Sequence, residues 1–103
     1  MSQRLMMLEK LVIEQHSSDP FAWYGLAMEY RQLGRVDESL ATFTTLRKNS
    51  PDYLPMYLMA GQLLIDQDRS GDAKEWLEAG LKLAREQGNA KAESEISDAL
   101  TQC

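Results

Sequence analysis

The sequence predicts an all-α fold of about six helices, and three observations indicate it. Apolar residues recur at helical spacing along the whole chain. No stretch alternates between apolar and polar residues at every second position, as a half-buried strand would. Glycine, proline and short polar residues separate the apolar stretches, which is where helices begin and end. Short links between such helices favour antiparallel hairpins packed in layers.

The first two predicted helices are delimited by capping residues. The first covers residues 3–16 behind Ser2, whose side chain is suited to cap a helix N-terminus. The second begins at Asp19 and Pro20, a capping residue followed by proline in the first turn, and it ends at Gly34. The apolar stripe of the first helix consists of Leu5, Leu8, Leu11, Val12 and Ile13.

Four further helices follow. The third covers about residues 36–49 and the fourth about 54–67, separated by the proline of "NSPD". The fifth covers about residues 70–87, with Ser70 predicted as its N-cap. The sixth covers about residues 90–101, capped by the asparagine of "GNA". Its apolar stripe consists of Ala92, Ile96, Ala99, Leu100 and Cys103.

An internal repeat with a period of 34 residues relates the fourth and fifth helices to the second and third. The offset places large residues on large ones and small residues on small ones. The matched pairs are Trp23 and Tyr57, Ala27 and Gly61, Tyr30 and Leu64, Ser39 and Ala73, and Phe43 and Leu77. Small side chains let two helices approach closely, while large ones fill the space beside the contact.

These positions resemble the signature of the tetratricopeptide repeat, a helix hairpin with this period. The first unit matches it at Trp23, Leu26, Ala27, Tyr30, Ser39, Phe43 and Pro51. The second matches it at Tyr57, Ala60, Gly61, Leu64, Ala73, Leu77 and Gly80. The resemblance implies hairpins stacked as a short right-handed superhelix in a single domain, residues 1–103. Its parts would be an N-terminal helix (3–16), two repeats (20–53 and 54–87) and a C-terminal capping helix (89–101).

Charge and composition exclude several classes of function. The net charge is −5, with six acidic and six basic residues in 1–51 but ten acidic and five basic in the remainder. Nucleic acids and anionic membranes require a basic surface, so we expect neither as a partner. No segment is apolar enough to cross a bilayer, and the charged N-terminus does not resemble a signal peptide. We therefore expect a cytoplasmic protein.

The residues that carry chemistry are scarce. The chain has one histidine, His16, and one cysteine, Cys103, at opposite ends, so neither a metal site nor an intrachain disulfide is expected. A phosphate-binding loop is also absent from the pattern, since "DRSGDAK" lacks the required spacing. The sequence therefore predicts no catalytic residues, no cofactor and no enzymatic activity.

The resemblance implies a candidate binding surface. In this family the first helix of each hairpin lines a concave groove that holds peptides. The corresponding outward positions are Phe21, Tyr24, Met28 and Arg31 in the first unit, and Leu58, Gln62 and Ile65 in the second. The carboxylate clamp of chaperone-binding members is absent, because its positions carry Tyr24, Met28 and Met59. An alternative remains open, in which the N-terminal helix or a second subunit already covers these residues.

The functional prediction is a protein-interaction module or adaptor that binds an apolar extended or helical segment of another protein. One alternative is a self-associating structural subunit, a homodimer formed through the groove or through a terminal cap. Another is a regulatory subunit of an enzyme or of a secretion or assembly system. The sequence identifies no particular partner protein or peptide.

Overall fold

The structure, a computed structural model, describes residues 2–103. Within these residues the chain forms six α-helices and one π-helical segment, and it contains no strand. The α-helices are α1 (Gln3–Glu9), α2 (Pro20–Gln32), α3 (Val36–Asn49), α4 (Pro55–Asp66), α5 (Ser70–Glu86) and α6 (Ala90–Leu100). The π segment (Lys10–Glu14) directly continues α1. The all-α fold class is therefore confirmed.

The chain divides into two compact units. The first ends at Tyr53 and contains α1, the π segment, α2 and α3. The second begins at Leu54 and contains α4, α5 and α6. This boundary coincides with the junction between the two repeats found in the sequence, so each unit contains one complete helix hairpin and one terminal helix.

Helix starts follow the predicted capping residues at three of four positions. The side-chain oxygens of Ser2, Asp19 and Asn89 each accept a hydrogen bond from a backbone amide in the first turn, at 3.0–3.1 Å. The prediction of Ser70 as an N-cap is wrong, because Ser70 is the first helical residue and Arg69 precedes it. The Arg69 guanidinium instead lies 2.7 Å from the Asp72 carboxylate in the first turn of α5.

Three helices end in the same left-handed motif. The residue after the final turn has a positive φ: 75° at Gly34, 58° at Asp68 and 67° at Gly88. The following amide then donates to the carbonyl five residues earlier. These bonds join Arg35 to Tyr30, Arg69 to Leu64, and Asn89 to Ala84, at 2.8–2.9 Å. The motif satisfies carbonyls that a helix end would otherwise leave unpaired.

The N-terminal helix ends in a longer version of this motif. The Gln15 amide donates to the carbonyl of Lys10 at 3.0 Å, which is π spacing. His16 takes the left-handed position with φ of 51°, and the Ser17 amide donates to Leu11, six residues earlier, at 3.2 Å. The predicted α-helix over 3–16 is therefore wrong after Glu9. From Lys10 to Glu14 the helix has π geometry, in which each hydrogen-bonded turn contains one more residue than in an α-helix.

The predicted apolar stripe of this helix is correspondingly wrong at two of its five positions. Leu5, Leu8 and Val12 are buried, but Leu11 and Ile13 are exposed. Three of these five residues, at positions 11, 12 and 13, are consecutive, so they project in different directions around the helix and cannot all face the same neighbour. The first unit therefore keeps part of the apolar surface of its N-terminal helix in contact with solvent.

The core of the first unit lies between α1, α2 and α3. One buried cluster joins α1 and the π segment to α2, and its members are Leu5, Leu8, Val12, Ala22, Leu26 and Tyr30. Between α2 and α3, Ala27 and Ser39 are fully buried. The Ser39 hydroxyl donates to the Ala27 carbonyl oxygen at 2.7 Å. This bond satisfies the hydroxyl group that the close approach buries, which is consistent with the predicted role of small residues.

Helices α4 and α5 of the second unit approach closely at two glycines. A Cβ atom added at Gly61 would lie 2.5 Å from Leu77, and one added at Gly80 would lie 2.5 Å from the Cβ of Tyr57. Only glycine permits these approaches between α4 and α5. Helix α6 contributes Ile96 and Ala99 to the buried cluster of this unit. Cys103, predicted on the same stripe, is exposed, because α6 ends at Leu100.

Candidate functional site

Helix α2 carries the candidate residues of the first unit. The Asp19 cap and Pro20 fix the start of this helix, so that Phe21 lies in its first turn. Phe21 is 69% exposed, the largest exposure of any large apolar side chain in residues 2–103. Tyr24, Met28 and Arg31 are partly buried. The four residues follow the helical spacing of one face, and Phe21 is the member that protrudes most into solvent.

Tyr24 belongs to an aromatic cluster within the first unit. Its ring centroid lies 5.5 Å from that of Tyr53 and 6.4 Å from that of Phe43. Burial raises the pKa of Tyr24, and Tyr53 raises it further, while Arg31 lowers it. The pKa of Tyr53 is also raised, first by burial and then by the Asp19 carboxylate. Both phenols are thus protonated at neutral pH, and their hydroxyl groups are able to donate hydrogen bonds.

Helix α4 carries the candidate residues of the second unit. Leu58, Gln62 and Ile65 are all partly buried. Leu58 and Ile65 pack against the buried cluster of that unit, whose members are Leu54, Leu77, Ala84, Ile96 and Ala99. The apolar members of this face therefore contribute to the core of the second unit, and Gln62 is its polar member.

A second apolar surface, which sequence reasoning did not identify, lies on the N-terminal helix. Every exposed large apolar side chain in residues 2–103 lies in the first unit. They are Met6, Met7, Leu11, Ile13, Phe21 and Leu33. Met6 and Ile13, at 55% and 53% exposure, line a shallow cleft of about 390 Å³ with Glu9, Lys10 and Glu14. The excess of apolar residues between positions 5 and 13 was the available sequence signal.

A separate cleft of about 350 Å³ lies beside the loop that joins the π segment to α2. Its wall combines apolar and polar side chains: His16, Ser17, Ser18, Trp23, Leu46, Asn49 and Ser50. The Trp23 indole Nε1 donates to the Ser17 carbonyl oxygen at 2.7 Å and so anchors this loop. Trp23 is partly buried against the first-unit core, in agreement with its predicted structural role.

The described residues contain neither a cluster suited to hold a metal ion nor a helix suited to span a membrane. In residues 2–103 no group of three or more histidine, cysteine, aspartate or glutamate side chains is arranged to hold a metal ion. Over the same range no helix combines the length and apolar character needed to cross a membrane. The geometry brings together apolar and aromatic side chains suited to contact with a polypeptide.

Two successive helix hairpins related by a 34-residue period are typical of the class of helical repeat proteins. The family model described as tetratricopeptide repeat matches residues 24–90. Because this match covers more than half of the chain, the chain belongs to the tetratricopeptide repeat family. Such repeats generally serve as protein–protein interaction modules, and the fold is typically a non-enzymatic scaffold.

Solved structures support the same assignment. The chain is similar to a tetratricopeptide repeat domain protein from Salinibacter ruber determined by solution NMR, with 37% sequence identity and a TM-score of 0.77. That match covers 82% of this chain and 85% of the other. A crystal structure of such a protein from Salinibacter ruber gives 37% identity and a TM-score of 0.76, covering 82% and 93%. No curated protein matches the chain.

Proposed function

We propose that this protein is a non-enzymatic interaction module whose exposed α2 face binds an apolar extended or helical segment of another protein. The observation that carries the proposal is the exposure of Phe21 on the first helix of a tetratricopeptide hairpin. An exposed phenylalanine contributes substantially to binding when a partner removes it from water. The single cysteine suits a reducing, cytoplasmic setting, which is part of the proposal.

The neighbours of Phe21 on α2 favour an apolar ligand with some polar groups. Tyr24 is held by Phe43 and Tyr53, so little side-chain freedom is lost when a ligand contacts it. Met28 is flexible and adapts its shape to different apolar side chains. Arg31 adds a positive charge that suits a carboxylate or a backbone carbonyl of the ligand. This combination favours a peptide whose apolar residues recur along one side.

The α4 face is proposed as a second contact surface, tested separately. Leu58 and Ile65 are committed to the core of the second unit, so they present only part of their area to a ligand. Gln62 is partly buried, and its side chain supplies amide donors and an acceptor. We therefore expect α4 to contribute polar contacts to a peptide and less apolar area than Phe21.

Selection from a random peptide display library tests the proposal and does not require the natural partner. We expect the wild-type protein to enrich peptides with regularly spaced apolar residues. Phe21→Asp should weaken binding by at least about tenfold, because burial of one large apolar side chain contributes that much. Gln62→Ala tests the α4 face by itself, and any selected peptide that contacts this face should bind that variant more weakly. Both variants should retain the helical circular dichroism spectrum.

The matched control is Leu33→Asp, since Leu33 is also an exposed apolar residue of the first unit but lies at the C-terminal end of α2. It should bind the selected peptides as well as the wild type does. Failure to enrich any peptide would contradict the proposal. Equal losses for Phe21→Asp and Leu33→Asp would also contradict it, because binding would then depend on general surface hydrophobicity.

A further inference from the structure

We propose that the outer face of the N-terminal helix, formed by Met6, Glu9, Lys10 and Ile13, binds a second copy of this chain in an antiparallel, twofold-symmetric dimer. These four residues line one shallow cleft and so lie on one side of the helix. Met6 and Ile13 are more than half exposed. The proposal goes beyond the peptide-binding function, because it uses a different surface and a different partner.

The order of residues on this face makes it complementary to itself. Consider two copies packed antiparallel about an axis that passes between Glu9 and Lys10. Met6 of each copy then lies beside Ile13 of the other, and Glu9 of each lies beside Lys10 of the other. Apolar meets apolar twice and opposite charges meet twice, which is the requirement for an isologous interface. A register shifted by one residue would place Lys10 beside Lys10.

The charge and polarity of other surfaces disfavour the competing occupants. If two copies associated head to tail through their terminal helices, α6 of one copy would lie on this face of the next. The exposed positions of α6 are polar or charged: Lys91, Ser94, Glu95 and Asp98. A polar, acidic helix does not remove Met6 and Ile13 from water. A membrane surface attracts basic amphipathic helices, whereas Lys10 is flanked on this face by Glu9 and Glu14. A second copy supplies both the apolar and the charged complement.

The interface is small, which sets the conditions of the experiment. The α1 and π segments have seven and five residues, so the helix is about 18 Å long at an α-helical rise per residue. A contact of this length buries less than the roughly 800 Å² per partner of a standard stable interface. The dimer is therefore expected to dissociate on dilution. Sedimentation velocity of the full chain, from micromolar to near-millimolar concentration, should show a growing dimer fraction.

Substitutions on exposed positions test the interface without disturbing the core. Ile13→Asp should raise the dimer dissociation constant by at least about tenfold. Leu33→Asp and Phe21→Asp, which alter exposed residues outside the face, should leave it unchanged. Circular dichroism should show all three variants folded. Ile13→Asp should also retain affinity for the selected peptides, which separates this proposal from the proposed function.

A charge-exchange pair tests the register. Lys10→Glu alone would place two carboxylates together at each symmetric contact, and Glu9→Lys alone would place two ammonium groups together. Each variant should therefore dimerise more weakly than the wild type. An equimolar mixture should form a heterodimer, because each contact then regains one opposite-charge pair. Because Glu9 also accepts a hydrogen bond from the Tyr30 hydroxyl, circular dichroism must show that Glu9→Lys remains folded.

Five results would overturn the proposal. The wild type could remain monomeric at every concentration, which would leave this face to a different partner. A dimer could resist Ile13→Asp, or it could dissociate equally with Leu33→Asp. It could dissociate with Phe21→Asp, which would make the α2 face the interface. Finally, folded Lys10→Glu and Glu9→Lys chains could fail to associate on mixing, which would reject the twofold register.

Discussion

The first and last helices of the chain differ in where they place their apolar residues. In α6, Ile96 and Ala99 are buried while exposed positions such as Glu95 and Asp98 are charged. In the N-terminal helix, apolar residues occur on both the buried and the solvent side, as Val12 and Ile13 show. Terminal helices of repeat proteins normally need a polar outer face for solubility. Helix α6 therefore has the polar outer face that such a terminal helix would need, whereas the N-terminal helix presents apolar surface suited to association.

The largest expected effect is a loss of stability when Ile96 of α6 is truncated, compared with truncation of Ile13 in the N-terminal helix. Ile96 is 1% exposed, so Ile96→Ala should leave a cavity in the second unit and lower the free energy of unfolding by about 2–5 kcal/mol. The same substitution at exposed Ile13 should change it by less than about 0.5 kcal/mol at a concentration where the protein is monomeric. Urea unfolding of both variants measures the difference. Equal losses of unfolding free energy would contradict the difference in burial between Ile96 and Ile13.

Glycine substitutions test how closely the helices pack at Gly61 and at Gly25. A Cβ at Gly61 would lie 2.5 Å from Leu77, so Gly61→Ala should destabilise the protein by about 1–3 kcal/mol. A Cβ at Gly25 would lie 3.4 Å from Leu8, which is ordinary contact between α2 and the N-terminal helix. Gly25→Ala should therefore be neutral or stabilising by up to about 1 kcal/mol. Thermal unfolding measures the stability of both variants. A Gly61→Ala protein more stable than the Gly25→Ala protein would contradict the packing described.

The helix ends allow a smaller test. Gly34 and Gly88 hold left-handed positions without steric cost, but His16 holds the corresponding position after the π segment with φ of 51°. His16→Gly should therefore stabilise the first unit by about 1 kcal/mol. Gly34→Ala, the matched control, should lower the free energy of unfolding by about the same amount. Chemical denaturation measures both changes, and a destabilised His16→Gly would mean that the imidazole makes a compensating contact.

Alkaline titration tests the buried phenol of Tyr30. Burial, the hydrogen bond to Glu9 and nearby carboxylates raise the pKa of Tyr30 to about 12, from 10.0. A raised pKa means that the folded state holds the proton more tightly. The stabilisation is therefore fully present below pH 10 and is lost as the pH rises through about 12. Tyr30→Phe should remove this pH-dependent stabilisation and lower the free energy of unfolding by about 1 kcal/mol at neutral pH.

Urea unfolding of wild type and Tyr30→Phe between pH 10 and 12 measures the difference in slope. Some slope should remain in the variant, because Tyr24 and Tyr53 also have raised pKa values. Identical slopes in the two proteins would contradict the assigned role of Tyr30.

Much of the fold was predictable from the sequence because close packing constrains residue size. Two helices approach closely at Ala27 with Ser39 and again at Gly61, and only small side chains are compatible with that approach. Helix limits were predictable where a side chain or a glycine makes the cap, as at Asp19 and Gly34. These signals are local, or they recur at a fixed spacing.

The features that escaped prediction depend on contacts between distant residues. The π turn lies beside the cluster in which Leu8 and Val12 pack against α2, and the spacing of apolar residues alone does not reveal it. The candidate residues Phe21 and Tyr24 have the same spacing pattern but different exposure, because Tyr53 packs on Tyr24 from beyond α3. Which apolar residues remain available for a partner could therefore not be predicted from the sequence.

Hydrogen exchange of the wild-type protein at low and high concentration tests most directly the contrast between the two terminal helices. Amides of residues 3–14 should exchange more slowly at high concentration, because a second copy would cover that helix. Amides of Ala90–Leu100 should exchange at the same rate at both concentrations. Concentration-independent exchange in the N-terminal helix, or added protection confined to α6, would contradict the account.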